Sequence, residues 1–248
     1  MAFIPRVFLS PDQISDGYAL VTAETDINHV KNVLRIPVGG KVTLCDGNGT
    51  IYPAVIASYS PSGMELTLSE GVSDKSELPF HVTVYQCYPK GEKAETVVQK
   101  AVELGAHEIV FVMSERCIAR PDDKSMEKKR ARLQKIAEGA AAQSGRCILP
   151  EVRGLLSYKD ACKEASMADC AFLCYEGKDT KPVRQVLEEA PHSKRYAFLI
   201  GPEGGIAPKE VETAVENGLI PTGLGGRILR TETAALFVLS AMNVLCDA

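Results

Sequence analysis

Two glycine-bearing segments near the C-terminus combine the residue types from which a ligand site is built. The first, Leu199-Ile200-Gly201-Pro202-Glu203-Gly204-Gly205-Ile206, ends an apolar run from Tyr196 to Ile200 on a glycine-proline-acid-glycine-glycine turn. A buried strand that opens into a glycine-rich loop is where α/β proteins hold small ligands, because glycine lets backbone amides approach closely. The second, Leu224-Gly225-Gly226-Arg227-Ile228-Leu229-Arg230-Thr231-Glu232-Thr233-Ala234-Ala235, joins another glycine turn to a helix start. Thr231 is the expected N-cap, and Ala234 to Leu245 is almost free of charge, which predicts a buried helix. With charges confined to Glu203, Arg227, Arg230 and Glu232, the pair suits a polar ligand with an apolar body. One such loop alone is an ordinary strand-to-helix turn; two together favour a binding site.

Other chemistries find no support. There is no Gly-x-x-x-x-Gly-Lys-Ser/Thr loop, and Gly223 to Ile228 lacks the third glycine of a dinucleotide loop. Eight cysteines form no Cys-x-x-Cys pair and four scattered histidines have no metal-ligand spacing, so no metal is expected. Without a secretory signal the thiols read as reduced and mostly buried in a cytoplasmic protein. No nucleophile elbow of the Gly-x-Ser-x-Gly type exists, which leaves hydrolase chemistry unsupported. No stretch approaches the length of an apolar membrane span, so no membrane partner is expected.

The elements that must position these loops follow from periodicity. Within 248 residues, 45% hydrophobic and 24% charged, there is room for one or two domains. Residues 1–72 read as a small β-barrel, with strands at Val7-Leu9, Lys41-Cys45, Tyr52-Ala57 and Met64-Leu68 between turn signals. Thr25 to Leu34 is a predicted short helix that presents His29 and Arg35 near its end. Residues 73–79 are polar and aperiodic, a linker. From 80 to 248 strands alternate with helices: strands at His81-Cys87, Glu108-Met113, Cys170-Tyr175, Tyr196-Ile200 and Thr222-Leu224. The helices run Lys93-Leu104, Asp123-Ser144, Pro182-Glu189, Pro208-Asn217 and Thr233-Cys246. That alternation predicts a parallel sheet covered by helices. The net charge of −4 is not that of a general nucleic-acid binder. Lys124, Lys128, Arg132 and Lys135 line one helix face opposite Met126, Leu133, Ala137 and Ala140; a solvated face and a phosphate-contacting stripe both stay open.

The paired C-terminal segments resemble the signature of the RsmE family, uridine-N3 methyltransferases of small-subunit ribosomal RNA. The likeness extends to Gln99-Gly105, Ser114-Arg116, Ala141-Arg146, His29-Arg35 and Asp46-Gly49, so it covers nearly the whole chain. It implies a SPOUT-type parallel sheet with a deep trefoil knot and a PUA-like RNA-binding barrel in front of it. Nothing in composition or periodicity implies a knot, and knots are nearly absent from proteins. The resemblance further implies methylation of 16S rRNA on the assembled 30S subunit, and a homodimer paired through helices around the knot. Two other classes stay open from the residues alone: a non-enzymatic ribosome-assembly factor, and a knotted 2′-O-ribose methyltransferase.

S-adenosylmethionine is the implied cofactor, lying among three loops: after Cys170-Tyr175, at Ile200-Gly205 and at Leu224-Leu229. Its expected contacts are Leu173, Ile200, Gly201, Glu203, Gly204, Leu224, Gly225, Ile228, Leu229, Thr233 and Ala234. Transfer to uridine N3 needs that nitrogen deprotonated, which spreads negative charge onto both flanking carbonyl oxygens. A fixed guanidinium beside them would favour the anion. Arg230 and Arg146 are the arginines expected there, with Arg116 third, although Arg146 follows a helix-capping glycine and has a competing role. A carboxylate or a water accepts the proton, with Glu203 and Glu232 the candidate acids, and Glu232 equally suits a first-turn acid that stabilises its own helix dipole. Expected RNA contacts are Arg6, His29, Arg35, Arg116, Lys128 and Arg132.

Overall fold

The computed structural model describes residues 4–246. They cluster into two compact units, one holding the chain up to Glu77 together with 141–149, the other holding 78–140 and the chain from Pro150 onward.

The first unit contains β1 (Arg6–Phe8), β2 (Ile14–Ser15), β3 (Tyr18–Val21), helix α1 (Glu24–Asn28), β4 (Lys41–Cys45), β5 (Thr50–Ser60), β6 (Gly63–Leu68) and β7 (Val72–Ser73). The sheet runs β1-β4-β5-β6-β3-β2, with β7 against β5; only the β1–β4 pairing is parallel. Val7, Val21, Val42, Leu44, Ile56, Met64 and Leu66 fill its interior. In β4, Val42 and Leu44 are buried while Lys41 is exposed, the alternation of a strand with one wet face. The expected helix over 25–34 begins as α1 and then widens into a π turn at His29–Val33, which buries Val30 and leaves His29 exposed. Arg35 follows in the left-handed region, φ 55°.

The polar segment expected as a linker has fixed partners within this unit. Asp74 pairs with Arg6. Glu77 accepts from Arg146 Nη2 at 2.7 Å and Nε at 3.0 Å, from the Cys147 amide at 2.9 Å and from the Ile148 amide at 3.0 Å. The segment lacks periodicity because it is held by charge and backbone bonds rather than by an apolar face.

The second unit contains β8 (His81–Cys87), α2 (Lys93–Glu103), β9 (Glu108–Met113), most of α3 (Asp123–Ser144), β10 (Glu151–Ser157), α4 (Tyr158–Ala165), β11 (Cys170–Cys174), β12 (Lys181–Pro182), α5 (Val183–Glu188), β13 (Arg195–Ile200), α6 (Pro208–Glu216), β14 (Ile220–Gly223) and α7 (Thr231–Leu245). Its seven-stranded sheet runs β10-β9-β8-β13-β11-β14-β12, and every pairing is parallel. The central strands β11 and β13 are apolar and buried along nearly their whole length, as a strand covered on both faces must be. Helices α2, α5 and α7 pack together, as do α4 and α6. On α3, Met126, Leu133, Ala137 and Ala140 are buried and Lys128 and Arg132 exposed, the two faces that the spacing predicts.

The Glu77 carboxylate is the part of the first unit whose loss should be felt most. Burial pushes its carboxyl up, but Arg146 and the two backbone amides outweigh that and hold it below the ordinary 4.5. A depressed carboxyl contributes stability that is present above the unfolded value and lost as pH falls through the folded one. Glu77→Ala should therefore cost about 3 kcal/mol at neutral pH, the scale of stranding one partner of a buried pair. It should also flatten the stability loss that the parent shows below pH 4.5. Chemical denaturation across pH checks both; a cost well under 1 kcal/mol would overturn the assignment.

Candidate functional site

Parallel pairing brings the C-terminal ends of four strands to one edge. Ile200 sits opposite Gln86 on one side and Cys174 on the other, and Cys174 sits opposite Thr222. The loops that leave β11, β13 and β14 enclose a cavity of about 630 Å³. Ile200, Leu224, Leu229 and Ala234 supply an apolar wall; Lys93, Glu176, Glu203, Arg227 and Arg230 bring charge to it. Size and lining match a pocket for a nucleoside-sized ligand with an apolar segment. Two glycines are required by the backbone itself. Gly205 has φ 69°, and a Cβ there would stand 2.7 Å from Glu176 Oε1; Gly225 turns at φ 102°.

Charge fastens the rim. Glu203 Oε1 accepts from Lys93 Nζ at 3.0 Å and from the Lys90 amide at 3.1 Å, which ties the loop after β13 to the segment entering α2. Lys93 Nζ also stands 3.4 Å from Glu232 Oε2, an ion contact that lacks hydrogen-bond geometry. Arg116 Nη1 donates to the Gly204 carbonyl at 3.1 Å, and the Glu115 amide donates to Glu210 Oε1 at 2.7 Å. The loop after β9 is thereby laid against the glycine loop and α6.

Of the residues expected at a cofactor, Ile200, Gly201, Glu203, Leu224, Gly225, Ile228, Leu229 and Ala234 line this cavity, with Arg230 beside them. Leu173 is wholly buried one residue short of the strand end, Gly204 lies under Arg116, and Thr233 points to solvent. Arg146 belongs to the first unit, where its side chain is 4% exposed and paired with Glu77. Arg6 is likewise held by Asp74, whereas His29, Arg35, Lys128 and Arg132 are exposed, the last in a surface ion pair with Glu95. Arg230 has no ion-pair partner among the described residues. Thr231 does not cap its helix: Arg230 occupies the cap position and makes no side-chain cap bond. The Thr231 hydroxyl donates instead to the Gly201 carbonyl at 2.7 Å. Lys93 escaped the sequence analysis although it faces both acids; its one signal is a position at the start of a helix that follows a strand end.

Residues 76–243 match the family described as an RNA methyltransferase domain, and residues 22–69 match an RNA methyltransferase PUA domain. The chain is 32% identical over 239 residues to the ribosomal RNA small subunit methyltransferase E of Bacillus subtilis, covering 95% of this chain and 93% of the relative. It is 30% identical to the protein of that name from Synechocystis, covering 98% and 78%. The crystal structure of the Neisseria gonorrhoeae ribosomal RNA small subunit methyltransferase E bound to S-adenosylmethionine superposes with a TM-score of 0.85, 32% identity and 98% of each chain covered.

The Lys93 contacts give a titration with a definite sign. Burial pushes the Glu203 carboxyl up, while Lys93 and the Lys90 amide more than offset this and hold it below 4.5. Lys93→Met removes the cation and leaves the burial, so the Glu203 carboxyl should rise. Carboxyl-carbon NMR of labelled glutamate reads that shift directly. An unmoved Glu203 titration would mean that Lys93 does not govern it.

Proposed function

The chain belongs to the ribosomal RNA small subunit methyltransferase E family, and from that premise we propose that it methylates N3 of a uridine in 16S rRNA, with S-adenosylmethionine as donor and the assembled small subunit as substrate. The observation that carries this reading is the cavity at the C-terminal edge of the parallel sheet, walled by both glycine loops. The residues present fit the cofactor: an apolar wall for its body, glycine backbones that admit close approach, and a volume suited to a nucleoside with an amino-acid tail. When bound, S-adenosylmethionine supplies an electrophilic methyl group on a sulfonium.

Around it the chain supplies binding and charge. Arg230 stands on the cavity wall with its guanidinium uncommitted, and favours the uracil anion by facing its carbonyl oxygens. Glu203 serves the loop through Lys93 rather than taking the N3 proton, since a carboxylate already holding two donors is a weak base. Arg116, Lys128, Arg132, Arg35 and His29 remain the RNA contacts in this reading; Arg6 and Arg146 are committed to Asp74 and Glu77. The first unit acts as the PUA-like RNA-binding part, consistent with the match over 22–69. A sheet in which β13 lies between β8 and β11, followed by α7 packed on α2 and α5, supports a C-terminal trefoil knot. Helix α7 buries Ala235, Val238, Leu239 and Met242 yet exposes Phe237 and Val244, and we assign that outer face to a homodimer. No helix among the described residues is long and apolar enough to cross a membrane. We place the enzyme in the cytoplasm.

Calorimetry with S-adenosylmethionine, followed by nucleoside analysis of 16S rRNA after incubation with 30S subunits, tests the reading. Binding and N3-methyluridine are expected. A methyl on ribose would move the protein to the 2′-O class, and no binding at millimolar ligand would make it a non-enzymatic assembly factor. Light scattering of the same sample should give the mass of a dimer; a monomer at micromolar concentration removes the interface assigned to α7.

Arg230→Ala should leave melting temperature and cofactor affinity nearly intact while lowering single-turnover methyl transfer about a hundredfold, the loss typical of one preorganised electrostatic donor. Arg230→Lys should recover only part, because an ammonium lacks the planar fork. Parallel losses in folding, binding and rate would assign Arg230 to the loop's structure instead.

A further inference from the structure

Behind the cavity wall lies a directional chain of hydrogen bonds that the proposed reaction leaves unexplained. Gln86, next to last in β8, is wholly buried, and Thr231, first in α7, is 6% exposed. Gln86 Nε2 lies 2.7 Å from Thr231 Oγ1 and 3.0 Å from the Cys87 carbonyl oxygen. Thr231 Oγ1 lies 2.7 Å from the Gly201 carbonyl oxygen. Each direction is forced. A hydroxyl carries one proton and a carbonyl can only accept, so Thr231 donates to Gly201 and must accept from Gln86. The Gln86 amide nitrogen therefore faces Thr231 and gives its second N–H to Cys87, which also fixes the amide orientation. Gln86 Oε1 is left without a partner among the described residues. A buried unpaired amide oxygen is unfavourable, and an apolar residue at 86 would avoid it. What the glutamine does here is hold the hydroxyl of Thr231.

We propose that Thr231 is a positioning residue: its hydroxyl, oriented by Gln86, fastens the loop beginning at Gly201 to the start of α7 and so sets the width of the cavity between them. The inference rests on the S-adenosylmethionine reading of that cavity. Gly201 and Thr231 both line it, on opposite loops, and no other hydrogen bond joins these two residues directly. At the rim Lys93 spans the same two elements through Glu203 and Glu232, but those side chains are 22% to 28% exposed and open to screening by salt. The inner bond is between neutral groups, part-buried and short, and its Thr231 hydroxyl is backed by the fully buried Gln86. It is the contact that defines distance, while the outer one adds charge.

Variants of the full-length protein separate this from a general packing role. Thr231→Val keeps the shape and removes the hydroxyl; Thr231→Ser keeps the hydroxyl and removes a methyl. Gln86→Met keeps the length and removes the donor. Valine and methionine should weaken S-adenosylmethionine binding about tenfold or more, as expected when a buried partner is lost, and serine should stay within about threefold of the parent. Single-turnover rate at saturating cofactor should recover, which places the defect in binding. Without ligand, amide hydrogen exchange should accelerate in the loops at 201–205 and 225–230 together, with β9 unchanged. Parent-like affinity in the valine variant overturns the inference, as does serine losing as much as valine, or exchange rising across the whole sheet. Should the valine variant fail to fold, Gln86→Met decides, since it removes the donor that orients the Thr231 hydroxyl: parent-like affinity in that variant overturns the inference. A parent protein that binds no S-adenosylmethionine fells the cofactor reading and this inference together, whereas parent binding with unchanged valine affinity removes the inference alone.

Discussion

Parallel pairing of β13 between β8 and β11 is the constraint on which the site depends. Parallel strands point their C-terminal ends the same way, so each loop that leaves the sheet there must share one edge with its neighbours. Ile200 opposite Gln86 and Cys174 puts the glycine turn at 201–205 in the middle of that edge. The chain then passes through α6 and β14 before returning as the loop at 224–230. Two segments separated by about twenty residues in sequence therefore form opposite walls of one cavity. Neither needs a conformation of its own choosing; the glycines only let each backbone follow the path the strands dictate, as Gly205 and Gly225 do at positive φ.

Holding those walls apart at a fixed distance calls for polar contacts, because glycine loops have few side chains to pack. The structure uses two kinds. Neutral hydrogen bonds run from the buried Gln86 through Thr231 to Gly201 at the cavity lining, and charged contacts from Lys93 to Glu203 and Glu232 lie at the rim. Both tie β8 or the helix after it to the loop after β13 and the start of α7. A buried amide with one idle oxygen is a local conflict with good packing. Such conflicts concentrate where function sets geometry rather than where stability alone does.

What could be read from the sequence followed the strength of the local pattern. β4, β8, β9 and α3 carry either strict apolar spacing or clear terminators, and their bounds were legible to the residue. β2 and β3 were not, although Asp16-Gly17 between them is a two-residue hairpin signal; the strands flanking it are too short for periodicity to register. β10 and α4 hid for a different reason. β10 is an edge strand of mixed polarity that is interrupted at Gly154, and α4 spans only two turns. At the site, backbone-rich loops were legible because glycine and proline mark them. Lys93 was not, since a lysine at a helix start looks like any solvated charge until the fold sets two acids beside it.

Arginine assignments fail or survive by the carboxylates that the fold places next to them, which no spacing rule reveals. Arg146 and Arg6 are, from sequence, candidates for a ligand or RNA contact beside Arg230. Folding gives each of them a largely buried acid: Glu77 in the segment after the first sheet for Arg146, and Asp74 beside it for Arg6. The Arg146 case is the sharpest, because the segment that holds Glu77 reads as a linker and the one that holds Arg146 reads as a helix terminus. Residues 141–149 instead cluster with the first unit, so the buried pair belongs to that unit's own architecture. Arg230 differs in where its chain comes from. It precedes α7 directly, with Thr231 turned inward to Gly201, and Glu203 and Glu232 on either side of Lys93 rather than on the arginine. The guanidinium on the cavity wall is left without an ion-pair partner among the described residues, and that is what leaves it available to a developing anion.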